Sequence, residues 1–161
     1  MKNDRFLLGI LIFIGLLVVT AVALFFARGA QQEYLPADTP EGVVHNYALA
    51  LSQGDYEQAY GYLAEGKGKP TLTQFTSVFS GADMIGNVGI RIASTDVIEA
   101  SGDTPETAIV RLTVIHGSSG PFDSGYTSDE PATLQLQNGG WKIQYMPWPY
   151  WSFDWYEGKV P

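Results

Sequence analysis

An unbroken run of twenty-one uncharged residues, Phe6–Phe26, lies near the N-terminus and constrains the chain more than any other feature. The only hydroxyl group in the run belongs to Thr20. As a helix rising about 1.5 Å per residue, the run would be about 31 Å long, close to the ~30 Å hydrocarbon core of a bilayer. A buried helix of a globular domain would carry a polar face, and this run has none. We therefore expect a transmembrane helix at residues 6–27, preceded by a short cytoplasmic segment, 1–5.

The charges around this run indicate its orientation. Lys2 and Arg5 precede it and are partly offset by Asp4, whereas Arg28 and then acidic residues from Glu33 onward follow it. Because basic residues favour the cytoplasmic side, we expect a single-pass protein with its N-terminus in the cytoplasm and the rest of the chain extracytoplasmic. A cleaved signal peptide is the alternative, but its apolar core is usually only about 7–15 residues long. The length favours an uncleaved signal-anchor, and both interpretations export the domain.

The chain contains no cysteine and no N-x-S/T sequon. The first absence excludes a disulfide framework, a thiolate metal site, a cysteine nucleophile and a lipid-modified cysteine. Together they are typical of a protein of the bacterial or archaeal cell envelope rather than of a eukaryotic secretory route. We therefore expect a prokaryotic membrane protein whose domain is stabilised by its core alone.

Charge is distributed unevenly between the two parts of the chain. Residues 29–161 contain six lysines and arginines but sixteen aspartates and glutamates. Such a domain repels a phosphate backbone, so we expect no nucleic-acid partner. The simplest role of this charge is solubility.

Capping signals and apolar spacing predict three helices after a linker at 28–38. Thr39 is a typical N-cap, followed by proline at the first helical position. Apolar residues at steps of three and four continue this helix to Gly54, and Asp55 is the expected N-cap of the second helix. Thr71 begins a third, shorter helix. The helical part of the domain therefore precedes residue 87.

From Asn87 onward the apolar period changes to two, which is typical of strands. The predicted strands are 87–98, 107–116, 132–137 and 141–145, and an Asn138-Gly139-Gly140 turn joins the last two. The predicted fold class is α+β, with three helices packed on one face of a curved, mainly antiparallel sheet of about four strands. This domain spans 39–146, and an aromatic tail follows at 147–161.

The stretch Val43–Leu63 resembles the opening of small exported domains of the nuclear-transport-factor-2-like superfamily. The matching motifs are Gly54-Asp55-Tyr56, Ala59-Tyr60 with Leu63, and Trp141-Lys142-Ile143. The resemblance covers about residues 39–146 and implies a cone-shaped α+β fold with a pocket between helices and sheet. Such folds serve isomerases, dehydratases and cyclases, ligand binders and interaction modules alike, so fold does not decide function.

Two residues are candidates for catalysis: Asp96 in the middle of a strand, and His116 at the end of the next. The inward set of that second strand is wholly apolar, and no ionisable pair converges on one face. Nothing in the sequence therefore demands catalysis. Asp123, Asp129 and Glu130 form an acidic loop region, but their spacing does not match a calcium-binding loop. We expect no metal site and no cofactor.

The C-terminal segment is unusually aromatic, with eight aromatic residues among the sixteen from Trp141 to Tyr156. Pro147 and Pro149 prevent it from continuing as a central strand. Three interpretations remain open: packing over the open end of the core, contact with the membrane interface or a partner, or a stacking surface for a ligand such as a sugar. The candidate contact residues are Trp148, Tyr150, Trp151 and Trp155.

The leading hypothesis for function is a membrane-tethered extracytoplasmic module, anchored through Phe6–Phe26. Its expected partner is a cell-envelope protein or a small apolar or sugar ligand. The alternative is an isomerase or hydratase-type enzyme that uses Asp96 or His116 as a base in the pocket. A pocket filled by Phe75, Phe79 or aromatic residues of the tail would argue against the enzyme.

Overall fold

The computed structural model describes residues 3–28, 33–81, 85–102, 105–118, 120 and 124–158. Its contacts divide the chain into two compact units, Met1–Glu33 and Tyr34–Pro161. The first contains one helix, α1 (Asn3–Arg28), and each of its described side chains, 8–23, is exposed. No helix within the described part of the chain is both long and apolar enough to cross a membrane. The transmembrane expectation for 6–27 is therefore not supported there.

The second unit has the predicted order of three helices followed by four strands. The helices are α2 (Pro40–Gln53), α3 (Tyr56–Gly61) and α4 (Leu72–Ser80); the strands are β1 (Val88–Ile98), β2 (Thr107–His116), β3 (Tyr126–Gln137) and β4 (Gly140–Tyr145). The strands form one sheet in the order β1-β2-β3-β4, with every neighbouring pair antiparallel. The α+β prediction is confirmed.

The three helices begin where capping chemistry predicts. The Thr39 hydroxyl accepts a hydrogen bond from the backbone N–H of Gly42 (3.1 Å), and the Asp55 carboxylate accepts one from Gln58 (3.1 Å). Thr71 forms a reciprocal capping box with Gln74. These bonds satisfy N–H groups that a helix leaves unpaired at its start, and this is why short polar residues mark the boundaries.

The segment before α2 is held to that helix by a buried amide. The Asn46 side chain, 1% exposed, accepts from the backbone N–H of Leu35 and donates to its carbonyl, both at 2.7 Å. Leu35 lies in the stretch expected as linker, 28–38. Residues 34–38 thus belong to the second unit.

β3 begins six residues earlier than the apolar alternation predicts. Residues 126–131 are mostly polar and include Pro131, so they lack the alternation that marks a half-buried strand. They nevertheless pair with residues 111–116 of β2, Tyr126 lying opposite His116. Pairing with β2 therefore makes these residues a strand, although their own sequence lacks the apolar alternation of one.

The inner face of the sheet, defined here by the buried residues Ala108, Val110, Leu112 and Val114 of β2, belongs to the core side. Helix α2 contacts β1, β2 and β4. The backbone of residues 62–64 covers the free edge of β4, since Ala64 donates to Ile143 (2.8 Å) and Ile143 donates to Tyr62 (2.9 Å). β4 is therefore not an open edge.

Aromatic residues of the tail belong to the same hydrophobic core as residues of the helices and the sheet. Trp155 stacks on Phe75 at 5.3 Å between ring centroids, and it meets Phe79 and Trp151 edge-on at 6.0 and 4.9 Å. The backbone N–H of Tyr156 donates to the carbonyl of Gly68 (3.0 Å). The domain therefore extends past residue 146, and the packing interpretation of the tail agrees with the structure.

Candidate functional site

Asp96, the first catalytic candidate, lies on the face of the sheet opposite to the inner face. A β-bulge between Ile92 and Ser94 inserts one residue into β1. Strand alternation from the inward residues Ile90 and Ile92 would otherwise have placed Asp96 inside. Instead its carboxylate is solvent-exposed and lies 2.7 Å from the guanidinium of Arg111. Asp96 is thus an outer-face ion-pair residue and takes no part in the candidate site.

His116, the second candidate, is the centre of three nearly parallel rings. It lies opposite Tyr126 at the end of the β2–β3 ladder, with ring centroids 4.2 Å apart and 14° between planes. The ring of Trp148 lies 5.7 Å from His116 at 16°. We call Tyr126, His116 and Trp148 the ring stack. Tyr126 is 61% exposed and Trp148 46% exposed, so the stack forms part of the surface.

Three hydrogen bonds of Tyr150 position Trp148 in the stack. The Tyr150 hydroxyl donates to the carbonyl of Val88 (2.9 Å), the residue that pairs with His116 across β1 and β2. The hydroxyl of buried Tyr47 donates to the carbonyl of Tyr150 (2.7 Å). A turn bond from Tyr150 N–H to Pro147 (2.9 Å) closes the segment between them. Trp148 is thus carried by a turn anchored at both the sheet and α2.

Polar residues of β3 extend the site along the same face. Ser128 and Glu130 lie opposite Val114 and Leu112, so the register puts them on the inner face with Tyr126. The Ser128 hydroxyl donates to the Glu130 carboxylate at 2.8 Å. Burial, and secondarily the charge of Glu130, raise the pKa of Tyr145. The site therefore combines an aromatic surface with an adjacent hydroxyl and carboxylate.

Sequence reasoning missed Tyr126 and Ser128, and placed Glu130 in an acidic loop, because it began the third strand at Ala132. Strand periodicity indicates them nonetheless, because steps of two residues back from the inward residue Ala132 lead to positions 130, 128 and 126. Because the prediction relied on apolar residues at alternate positions, the mostly polar residues 126–131 were not recognised as a strand. The pattern of alternation, without regard to polarity, could have found them.

Among the residues that the structure describes, no hydrogen bond joins His116 to Ser128 or to Glu130, and Ser128 bonds to Glu130 instead. Successive same-face Cα atoms of a strand are about 6.6–7 Å apart, so the Cα atoms of Ser128 and Glu130 lie one and two such steps from the His116–Tyr126 row. Proton transfer needs heavy atoms about 2.6–3.2 Å apart or one bridging water. The Ser128 hydroxyl is moreover directed to Glu130 rather than to an imidazole. Ser128 and Glu130 are thus paired with each other and not with the ring stack.

The acidic loop region does not assemble a cation site in the described residues. Asp129 accepts a hydrogen bond from Thr113 (2.8 Å) on the outer face, whereas Glu130 lies on the inner face. Asp123 lies outside the described residues. Among the residues that the structure describes, no group of three or more histidines and carboxylates could hold a metal ion.

The other tail candidates are core residues. Tyr150, Trp151 and Trp155 are 2%, 5% and 7% exposed, so only Trp148 of the four predicted contact residues is at the surface. A separate groove of about 430 Å³ lies between α4 and the tail, lined in part by Gln74, Asp154 and Trp155. Neither Asp96 nor His116 lines it.

Comparison with known proteins gives likeness at the level of fold. No protein-family model and no curated protein matches the chain. A SEC-C motif containing protein from Rhodopseudomonas palustris has a TM-score of 0.46 and 12% identity over 66% of this chain and 76% of that one. An NTF2-like protein with a cystatin-like fold from Novosphingobium aromaticivorans has a TM-score of 0.44 and 18% identity over 63% and 72%. A candidate dehydratase of the NTF2-like family from Streptomyces avermitilis has a TM-score of 0.38 and 13% identity over 65% of this chain and 93% of that one.

These similar structures include NTF2-like proteins, the superfamily that residues 39–146 resemble in sequence. The predicted resemblance to this superfamily is therefore confirmed, as a likeness of fold. Because each of these TM-scores is below 0.5, the structural likeness carries no conclusion about activity.

Proposed function

We propose that this chain is a membrane-tethered module on the extracytoplasmic side of a prokaryotic cell envelope, and that it binds a partner protein or a small ligand through the ring stack. The observation that carries the binding role is the filled interior. Phe75, Phe79 and Trp155 are buried and pack ring against ring in the hydrophobic core that the helices and the sheet share, where an enzyme of this fold would need a cavity. The exposed ring stack is then the feature best suited to recognition.

The tether rests on the sequence of Phe6–Phe26, which contains no charge, and on the basic residues that precede it. Alkaline carbonate extraction of membranes tests it, because an inserted helix resists extraction while an adsorbed protein is released. We expect the full chain to stay in the pellet. Release of the chain by carbonate would overturn the tether but would leave the binding role of the stack open.

The ring stack has the properties of a recognition surface. Aromatic rings bury a large area and lose few rotamers on binding, so tryptophan and tyrosine are frequent at binding hot spots. Trp148 is held in place before any ligand arrives, which reduces the entropy lost on association. The strong acidity of residues 29–161 favours a neutral or cationic partner over an anionic one.

An isomerase or hydratase-type enzyme is the second candidate. Glu130, half-buried on the inner face and close enough to raise the pKa of Tyr145, would have to act as its base. This candidate needs a substrate to enter beside Ser128 and Glu130, because of the two bases predicted from the sequence Asp96 is on the outer face and the ring of His116 is stacked between Tyr126 and Trp148. Turnover by the purified chain that disappears in Glu130→Gln would establish it.

Co-purification tests the binding role directly. The full chain is cross-linked in membranes and purified in detergent, and mass spectrometry identifies both proteins and small molecules that remain bound. Trp148→Ala should reduce the bound component several-fold, since it removes one outer ring of the stack. The matched control is Phe153→Ala, because Phe153 is an exposed aromatic residue of the same tail, at 70% exposure. Equal recovery from both variants would show that the ring stack is not the site.

A further inference from the structure

The two edges of the sheet differ in how they end. β4 is covered by residues 62–64, as described above. β1, with eleven residues, is the opposite edge strand. On its side facing away from β2, the only backbone hydrogen bonds among the described residues are at Val88. The Val88 N–H donates to the carbonyl of Ile85 (3.1 Å), and the Val88 carbonyl accepts from the hydroxyl of Tyr150. Val97 and Ile98 are 49% and 52% exposed. An open edge of this kind is a template for pairing with another strand.

The bonds at the start of β1 identify the backbone groups that point outward. Gly117 N–H donates to the carbonyl of Asn87 (2.8 Å), so that pair is hydrogen-bonded across the ladder. Antiparallel pairs alternate, so the groups of Ile90 and Ile92 point away from β2. Beyond the bulge at Ile92/Ser94 the alternation shifts by one. The outward groups there belong to Thr95 and Val97.

We propose that β1 pairs antiparallel with β1 of a second copy of this chain, about a two-fold axis, and joins two four-stranded sheets into one of eight strands. Ile90 lies opposite Val97 of the second copy, and Ile92 lies opposite Thr95 of the second copy. This contact is independent of what the ring stack binds.

The bulge selects this register. The residues whose backbone groups point away from β2 are 90, 92, 95 and 97, which are spaced by two, three and two residues. This spacing reads the same in both directions, so an antiparallel copy of β1 matches it. A shift of the copy by two residues in one direction sets Ile92 opposite the bulge, and a shift in the other direction does the same to Thr95, so that their outward backbone groups have no matching partners there. Only the proposed register uses all four outward residues on each strand as hydrogen-bonded pairs.

Charge complementarity favours the same register. It places Arg91 directly opposite Asp96 of the second copy on the outer face, where non-hydrogen-bonded pairs bring Cβ atoms within about 4.5–5.5 Å. Asp96 already lies 2.7 Å from Arg111, while Arg91 has no ion pair among the described residues. The two-fold axis repeats this contact, so each carboxylate lies between two guanidinium groups. An unrelated strand would need to supply the same pattern.

The net acidity of residues 29–161 opposes association of two copies. At an ionic strength of 0.15 M the screening length is about 8 Å, so repulsion over longer distances is weak while the close Arg91–Asp96 contact persists. We expect the dimer to be weaker at about 0.01 M salt, where the screening length is about 30 Å.

Single cysteines test the register, because the natural chain has none. Full-length Arg91→Cys and Asp96→Cys are purified separately in detergent, mixed, and oxidised mildly. Opposite Cα atoms of a non-hydrogen-bonded pair lie about 4.5 Å apart, within the range that a disulfide spans. Two copies of position 91 would be about 16 Å apart at about 3.3 Å per residue, too far for a bond.

The expected result is a disulfide dimer in the mixture and none in either variant alone. Dimers formed by Arg91→Cys alone, or no cross-link in the mixture, would overturn the register. Val97→Pro removes an N–H that points outward in the monomer and bonds only between copies, whereas Val97→Ala keeps it. Light scattering should give the mass of a monomer for Val97→Pro and the mass of a dimer for Val97→Ala. Equal masses for the two variants would overturn the pairing of β1 with β1.

Discussion

The hydroxyl of Tyr47 in α2 donates a 2.7 Å hydrogen bond to the backbone carbonyl of Tyr150, 103 residues later in the chain. Both residues are buried, at 0% and 2% exposure. This bond joins the first helix of the domain to the aromatic tail, and the tail in turn places Trp148 against His116. A core contact and a surface feature are therefore coupled through one carbonyl group.

Tyr47→Phe should lower the free energy of unfolding by about 1–3 kcal/mol, because the buried carbonyl of Tyr150 loses its donor. Urea unfolding of the full chain in detergent, followed by tryptophan fluorescence, measures the change. Tyr34→Phe is the matched control, since Tyr34 is exposed and its hydroxyl donates a solvent-exposed hydrogen bond to Gln53 at 3.2 Å. Its effect should stay within about 0.5 kcal/mol. Equal effects of the two substitutions would refute the role of the Tyr47 bond.

Trp155→Ala should destabilise the domain by about 3–5 kcal/mol, the usual cost of removing a large aromatic ring from a core. Trp155 is 7% exposed and stacks on Phe75. Phe153→Ala, two residues earlier in the same tail, should change stability by no more than about 0.5 kcal/mol. A Trp155→Ala domain as stable as the wild type would mean that the tail is not part of the core.

Asn46→Ala should release the segment before α2. The substitution removes both 2.7 Å bonds to Leu35, so the expected cost is about 1–3 kcal/mol. Hydrogen exchange at the amide of Leu35 should accelerate, while exchange in β2 changes only with overall stability. Gln58→Ala is the control, because Gln58 is exposed. Unchanged exchange at Leu35 would contradict the anchoring role of Asn46.

Stability should fall at alkaline pH. Burial raises the pKa of Tyr150 to about 12, and burial together with the proximity of Tyr156 raises the pKa of Tyr47 well above its ordinary value. Tyrosine in an unfolded chain titrates near 10, so this stabilisation is complete below about pH 10 and is lost as the pH rises through about 12. Urea midpoints measured across this window should decline. Tyr150→Phe should flatten the decline, and an unchanged slope would show that Tyr150 does not cause it.

Local chemistry in the sequence predicted the helix starts and most of the strands. Thr39, Asp55 and Thr71 act on N–H groups three residues away, and such short-range effects can be read from neighbours alone. The inward set of β2 follows from a period of two in one strand. For the same reason the α+β class was predictable before any contact was known.

The candidate site was only partly predictable. Residue type singled out His116 and Trp148, but their contact joins the end of a strand to a turn thirty-two residues later. Tyr126, Ser128 and Glu130 belong to a strand whose polarity hides it. Asp96 was a reasonable candidate until the bulge turned it outward.

The sequence by itself determined an uncharged twenty-one-residue run at the N-terminus, an acidic domain after it, and the order of helices and strands, because composition and periodicity are properties of the chain. Tertiary structure alone decided which face each polar residue occupies and where the aromatic tail packs. A single inserted residue in β1 reverses the face of everything after it, and the burial of Trp155 depends on Phe75 eighty residues earlier. Both are consequences of contacts between distant segments, which no local pattern encodes.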